Sequence, residues 1–261
     1  MADYVCFPVP HRAMTREYPH IFPFNDTFEA ELAALDETCG FTAFLEEYLV
    51  FPPKGPQPPS PTSDGECDMF DTLTSGMYFL NRCFNTYHIT TGCPYAVDPI
   101  TNPPDGVHLR SGVTAPAGRS RPGINPGPRA LTSSPRVIER LNKTIIVSGQ
   151  LDLTLPSNGT LLAIQNMTWN GVMGFQSAPA DPFFVPYVAA AIDGEPPNFD
   201  VWSLAGTGLM GKLRAERGLT FVDVFLAGHQ LPQWQPAAAF RQLEYALPRV
   251  ESMSGWRTGR L

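Results

Sequence analysis

The chain has 261 residues, with 18 Lys and Arg against 25 Asp and Glu, for a formal net charge of −7. That acidic balance argues against a protein that tracks nucleic-acid phosphates, and no nucleic-acid partner is expected. Hydrophobic residues are 43% and charged residues 16% of the chain, which fits a globular protein and not a disordered one, while 28 Pro and 22 Gly give loops an unusual share.

The first residues, Met1-Ala2-Asp3-Tyr4-Val5-Cys6-Phe7-Pro8, lack the basic and apolar regions of a secretory signal. No apolar run approaches the roughly 20 residues of a membrane span, so no membrane association is expected. Four Asn-x-Ser/Thr sequons, at Asn25, Asn142, Asn158 and Asn166, nevertheless point to a secretory route as glycan acceptors. The five cysteines, Cys6, Cys39, Cys67, Cys83 and Cys93, have no Cys-x-x-Cys spacing. They read as disulfide partners within an N-terminal subregion, their pairing open and one thiol left over, and no metal or cofactor is expected.

In chain order, Thr27 is the expected N-cap of a helix over Phe28–Thr38, closed by Gly40. A second helix is expected over about Thr42–Leu49. A third is expected from Asp68 to about Cys83, with Phe70, Leu73, Met77 and Leu80 on one face. Between these two runs the proline-rich connector Phe51–Pro61, which cannot be helical. From Val97 to Ser134, Pro and Gly clusters replace apolar periodicity, and the stretch reads as an irregular linker. Thr144-Ile145-Ile146-Val147-Ser148-Gly149 then has the β-branched character of a buried parallel strand, followed by a helix over about Asn158–Met167. Leu219–Leu226 reads as another strand. Pro236 opens a last helix, Ala237–Leu247, whose apolar stripe is Phe240, Leu243 and Leu247. Strands alternating with helices predict an α/β fold.

In open parallel sheets, functional groups gather on loops past the carboxyl ends of strands. Asp152 follows the first strand and His229 the second, in Ala227-Gly228-His229. An acid and then a histidine, each past a strand, is the back half of the Ser, Asp, His order of α/β-hydrolases. The aspartate of such a pair fixes the imidazole tautomer, and the histidine moves the proton of a nucleophile. His11, His20, His88 and His108 have no acid or cysteine at ligand spacing and read as surface residues.

Ser148-Gly149-x-x-Asp152 and Ala227-Gly228-His229-Gln230-Leu231-Pro232 resemble the aspartate and histidine blocks of the serine carboxypeptidases. Further blocks are similar to the fungal secreted branch: Phe22-Pro23-Phe24-Asn25-Asp26-Thr27-Phe28, Tyr48-Leu49-Val50-Phe51-Pro52-Pro53-Lys54-Gly55-Pro56, Gln165-Asn166-Met167-Thr168-Trp169-Asn170-Gly171 and Glu216-Arg217-Gly218-Leu219-Thr220-Phe221. The resemblance covers about residues 3–97 and 129–252. It implies the C-terminal part of an α/β-hydrolase sheet with a helical, cysteine-containing insertion and a long Pro/Gly-rich loop. On that reading, residues 1–97 are the end of a core strand plus the insertion, 98–136 the irregular linker, and 137–261 the segment carrying the acid and histidine loops. It further implies hydrolysis of C-terminal peptide bonds, a secreted or vacuolar address, Asp152 and His229 as triad acid and base, and Gln230 on the leaving-group side of a peptide substrate.

The sequence departs from the family where the nucleophile belongs, because no serine stands in Gly-x-Ser-x-Gly. Trp169-Asn170-Gly171 matches the family's oxyanion-hole tripeptide in letters only, since it follows the helix after Asp152. The chain therefore reads as a carboxypeptidase lacking its nucleophile-bearing half and inactive alone. The alternatives are a complementing chain of a two-chain peptidase and a non-enzymatic binding remnant.

Overall fold

The computed structural model describes residues 11–61, 67–92, 129–186 and 206–255. The described N-terminal part is helical: α1 (His11–Glu17), α2 (Asp26–Cys39), α3 (Phe41–Tyr48) and α4 (Met69–Leu80). The N-cap of α2 is Asn25, not the expected Thr27: the Asn25 side chain accepts from the Phe28 N–H at 2.9 Å and satisfies one of the orphan donors of the first turn. Gly40 ends the helix in the left-handed conformation, at φ 73°, as its position predicted. Asp68 caps α4 by accepting from the Asp71 N–H. Leu73 and Met77 are buried on that helix, but the expected stripe is not wholly inward, because Leu80 is exposed and Met69 and Thr74 are buried instead. A disulfide joins Cys39 at the end of α2 to Cys67 just before α4; Cys83 is also disulfide-bonded, and Cys6 and Cys93 lie outside the described residues.

The connector 51–61 is non-helical as expected, and it is pinned to the body of the molecule. The Gln57 backbone N–H donates to the Asn166 side chain, and the Gln57 carboxamide donates to the Leu162 carbonyl, each at 3.0 Å. Of the expected linker, residues 98–128 lie outside the described residues, while its last part is not irregular. Helix α5 (Arg129–Leu141) begins inside it and carries Pro135.

Beyond α5 come β1 (Thr144–Gly149), α6 (Ser157–Gln165), the short strands β2 (Thr168–Trp169) and β3 (Val172–Met173), then β4 (Asp181–Val185), β5 (Gly208–Glu216) and β6 (Leu219–Val224), and finally α7 (Leu231–Trp234) and α8 (Pro236–Ala246). The main sheet has the order β1-β6-β5-β4. β1 pairs parallel with β6, Thr144 opposite Leu219 and Gly149 opposite Val224, whereas β5 pairs antiparallel with both β6 and β4. Arg217 and Gly218, at φ 49° and 82°, form the two-residue turn between β5 and β6, with the backbone signs of a hairpin turn that suits strand twist.

Alternation along β1 and β6 divides the core into two layers. Ile146, Leu219 and Phe221 pack with Ile138 of α5 and Leu161 and Ile164 of α6 on one face. Ile145, Val147, Val222 and Val224 pack with Ala238 of α8 on the other. A third cluster fills the helical part and takes in Leu151 and Leu153 from the loop after β1. The expected apolar stripe of α8 faces outward: Phe240, Leu243 and Leu247 are each more than half exposed, and the helix buries Ala238, Arg241 and Gln242. The chain is thus a mixed α/β fold, and no helix among the described residues is long and apolar enough to cross a membrane.

Candidate active site

Because β1 and β6 are parallel neighbours, their carboxyl ends lie side by side, and the loops that leave them carry Asp152 and His229 to the same place. Asp152 Oδ2 lies 2.8 Å from His229 Nδ1. The other oxygen, Oδ1, accepts the backbone N–H groups of Thr154 and Leu155 at 2.9 and 3.0 Å, so the carboxylate plane is held independently of the imidazole. Leu151 and Leu153 on either side of Asp152 are buried in the helical cluster, which anchors the loop.

Asp152 is 3% exposed. Burial pushes its carboxyl above the ordinary carboxylate range, opposed by the Leu155 N–H, the His229 ring and the Thr154 N–H. An ionised carboxylate only accepts, so the shared proton sits on His229 Nδ1 and the lone pair of Nε2 is turned away from Asp152. The His229 side chain is 30% exposed. Among the described residues, Asp152 is the side chain hydrogen-bonded to that ring.

Two glycines let the loops meet. A Cβ at Gly149 would lie 2.5 Å from the Gly228 carbonyl oxygen and 2.6 Å from that of Ala227. A Cβ at Gly228 would lie 2.2 Å from the Tyr87 carbonyl oxygen. Residues 85–91, which follow α4, close the site from the third side. The Tyr87 carbonyl accepts the His229 N–H at 2.8 Å, and the Tyr87 ring meets the imidazole edge-on with centroids 4.8 Å apart. The Asp152 loop is tied to the same segment through Ile89 N–H to the Leu151 carbonyl and Leu153 N–H to the Thr86 carbonyl.

His88, expected on the surface, is buried: its ring stacks on Trp234 with centroids 3.8 Å apart. His11, expected there too, is 1% exposed, and neither ring nitrogen has a hydrogen-bond partner. Burial lowers its pKa from 6.5 to about 4, the Leu153 backbone acting weakly in the opposite direction without meeting hydrogen-bond geometry. A lone histidine carries no sequence signal of burial, which is why both escape a reading of the chain. His20 is exposed, as expected, and His108 lies outside the described residues.

Gln230 is exposed beside His229. Of the sequon residues, Asn25 and Asn142 are exposed and Asn158 and Asn166 half-buried. Trp169 is fully buried under the Arg217 guanidinium, and Asn170-Gly171 is the turn of the β2–β3 hairpin. Among the described residues no cluster of three or more His, Cys, Asp or Glu side chains is placed to hold a metal ion.

Residues 129–248, which hold both loops, match the family model described as serine carboxypeptidase. A probable serine carboxypeptidase of Arthroderma benhamiae is 35% identical, the match covering 97% of this chain and 50% of that protein. A carboxypeptidase Y homolog of the same fungus is 37% identical over 97% of this chain and 51% of its own length. Serine-type carboxypeptidase F of Aspergillus niger is 33% identical over 96% of this chain and 53% of its own. The chain spans about half the length of the curated relatives it matches.

Proposed function

From the premise that this chain belongs to the serine carboxypeptidase family, we propose that it carries the acid and the base of a serine-type carboxypeptidase acting on C-terminal peptide bonds. The observation that carries this reading is the 2.8 Å contact between Asp152 and the Nδ1 side of a partly exposed His229. Asp152 holds the imidazole with its Nε2 lone pair outward. His229 takes the proton of a serine hydroxyl as its oxygen attacks the scissile carbonyl, then returns that proton to the leaving amine. Gln230, next in the chain, faces the leaving-group side of the peptide.

The serine itself is not in this sequence, which has no Gly-x-Ser-x-Gly. The chain is therefore inactive alone, and it acts when polypeptide equivalent to the other half of its relatives completes the sheet. Within this reading, residues 1–97 are the end of a core strand plus a helical cap and 137–261 the C-terminal hydrolase segment, while the linker between them, expected over 98–136, ends where α5 begins at Arg129. Asn25, Asn142, Asn158 and Asn166 are glycan acceptors, which agrees with a secreted or vacuolar protein.

The test is fluorophosphonate labelling of the purified chain, alone and joined to the half of the Arthroderma benhamiae probable serine carboxypeptidase that it does not cover. The chain alone gives no adduct. The completed protein is labelled, and His229→Ala slows labelling by roughly a thousandfold or more. A stoichiometric adduct on the isolated chain, abolished by His229→Ala, overturns the reading.

A further inference from the structure

The turn that presents His229 is strained and is held by a neighbouring histidine, His88. β6 ends at Val224, and two residues later Leu226 sits in the left-handed region, at φ 55°, with its side chain 62% exposed. A leucine adopts that conformation only at a cost, because its Cβ crowds the backbone, so its surroundings must hold it there. Its side chain makes no such anchor. The restraint falls on the backbone: the Leu226 carbonyl faces His88 Nε2 at 3.4 Å and the Gln235 carboxamide at 3.5 Å.

The His88 ring is itself fixed from three sides. Its Nδ1 is 3.1 Å from the Thr90 hydroxyl and 3.2 Å from that of Thr91, and its face lies on Trp234. A carbonyl oxygen only accepts, so the Leu226 contact puts the proton on Nε2; the Nδ1 lone pair is then free to accept from a hydroxyl, an arrangement that the Thr90 and Thr91 contacts are compatible with. The neighbouring Gly228 packs so closely on this segment that a Cβ there would lie 2.8 Å from His88 Cδ2.

We propose that His88 is a positioning residue for His229: by donating to the Leu226 carbonyl and stacking on Trp234, it locks the left-handed turn that aims the imidazole at Asp152. This rests on reading Asp152 and His229 as acid and base, but the geometry it claims is measurable without a nucleophile.

The experiment is nitrogen-15 NMR of histidine side chains in the chain itself. His88 shows its proton on Nε2, and the His229 Nδ1 proton is seen in slow exchange. His88→Phe keeps an aromatic ring against Trp234 and removes the donor; exchange of the His229 Nδ1 proton then accelerates by about fivefold or more, as expected for loss of one hydrogen bond, while the Val222 amide is unaffected. His88→Gln, which keeps a nitrogen donor, returns exchange to near the parent rate. The proposal is overturned by a proton on His88 Nδ1, by unchanged exchange in His88→Phe, or by failure of His88→Gln to restore it. Should His88→Phe not fold, the tautomer of the parent ring and the His88→Gln rate decide. These outcomes are separate from fluorophosphonate labelling, so failure of the functional reading and failure of the His88 assignment are distinguishable.

Discussion

Gly149 and Gly228 meet backbone to backbone: any side-chain carbon on the first would stand 2.5 Å from the carbonyl oxygen of the second. Neither obstructing atom is the end of a flexible side chain, so Gly149→Ala can be accommodated only by parting the Asp152 and His229 loops. The variant should lose about 1–3 kcal/mol in urea unfolding, and the low-field His229 Nδ1 proton signal should weaken with it. An alanine variant as stable as the parent would show that the loops are not in contact.

His11 gives the fold an acid sensitivity of known sign. The unfolded imidazole takes a proton below about 6.5, whereas the buried ring resists until about 4. Within that window the unfolded chain holds more protons, so stability falls as pH falls, by about 3 kcal/mol in total. His11→Leu should flatten this loss, as read from unfolding curves between pH 7 and pH 4.

Asp223, buried in β6, works in the opposite direction. Burial raises its pKa, against the Ser157 hydroxyl at 2.7 Å and the Lys212 ammonium at 3.8 Å. A carboxyl whose folded pKa is raised costs stability while ionised, and that cost is relieved as pH falls through the folded pKa. Asp223→Asn keeps an acceptor for Ser157, and Lys212 is half exposed and remains solvated. The variant should be more stable than the parent at neutral pH, with the difference vanishing toward acid pH, as read from urea unfolding curves at both.

The two sides of α8 should respond unequally. Leu243→Gln and Leu247→Gln change exposed positions and should each shift stability by no more than about 0.5 kcal/mol. Ala238→Leu forces extra volume against Val222 and Val224 and should cost about 1–3 kcal/mol in the same assay.

That asymmetry shows where sequence reasoning stops. Helical spacing finds the stripe Phe240, Leu243 and Leu247, but period alone does not say which side has a neighbour. In this fold α8 approaches the sheet through small Ala238, a close packing that leaves the larger side chains outside. Asp152 and His229 are legible because an acid and a histidine, each shortly past a recognisable β-branched or apolar strand, are local features of the chain. The strands β4 and β5 were not. β4 begins at Asp181-Pro182 and has little strand character there, while β5 is interrupted by Gly211, where a Cβ would lie 2.2 Å from the Asp223 carbonyl oxygen. The Arg217-Gly218 turn was the signal that could have found the β5–β6 hairpin. Tyr87 and His88 reach the site only through the tertiary path of residues 85–91, which no local pattern encodes.

The parallel pairing of β1 with β6 has a consequence for how such proteins can diverge. Asp152 and His229 are 77 positions apart, yet the distance between their loops is set by one interstrand spacing of about 4.8 Å. Insertions or deletions in the turns between α6 and β5 leave that spacing untouched, so those turns can change length while the proton-handling pair stays in alignment, provided the buried Trp169, Phe175 and Phe183 keep their places. A shift of one residue in the pairing of Ser148 with Asp223, by contrast, misaligns the two loops at a stroke.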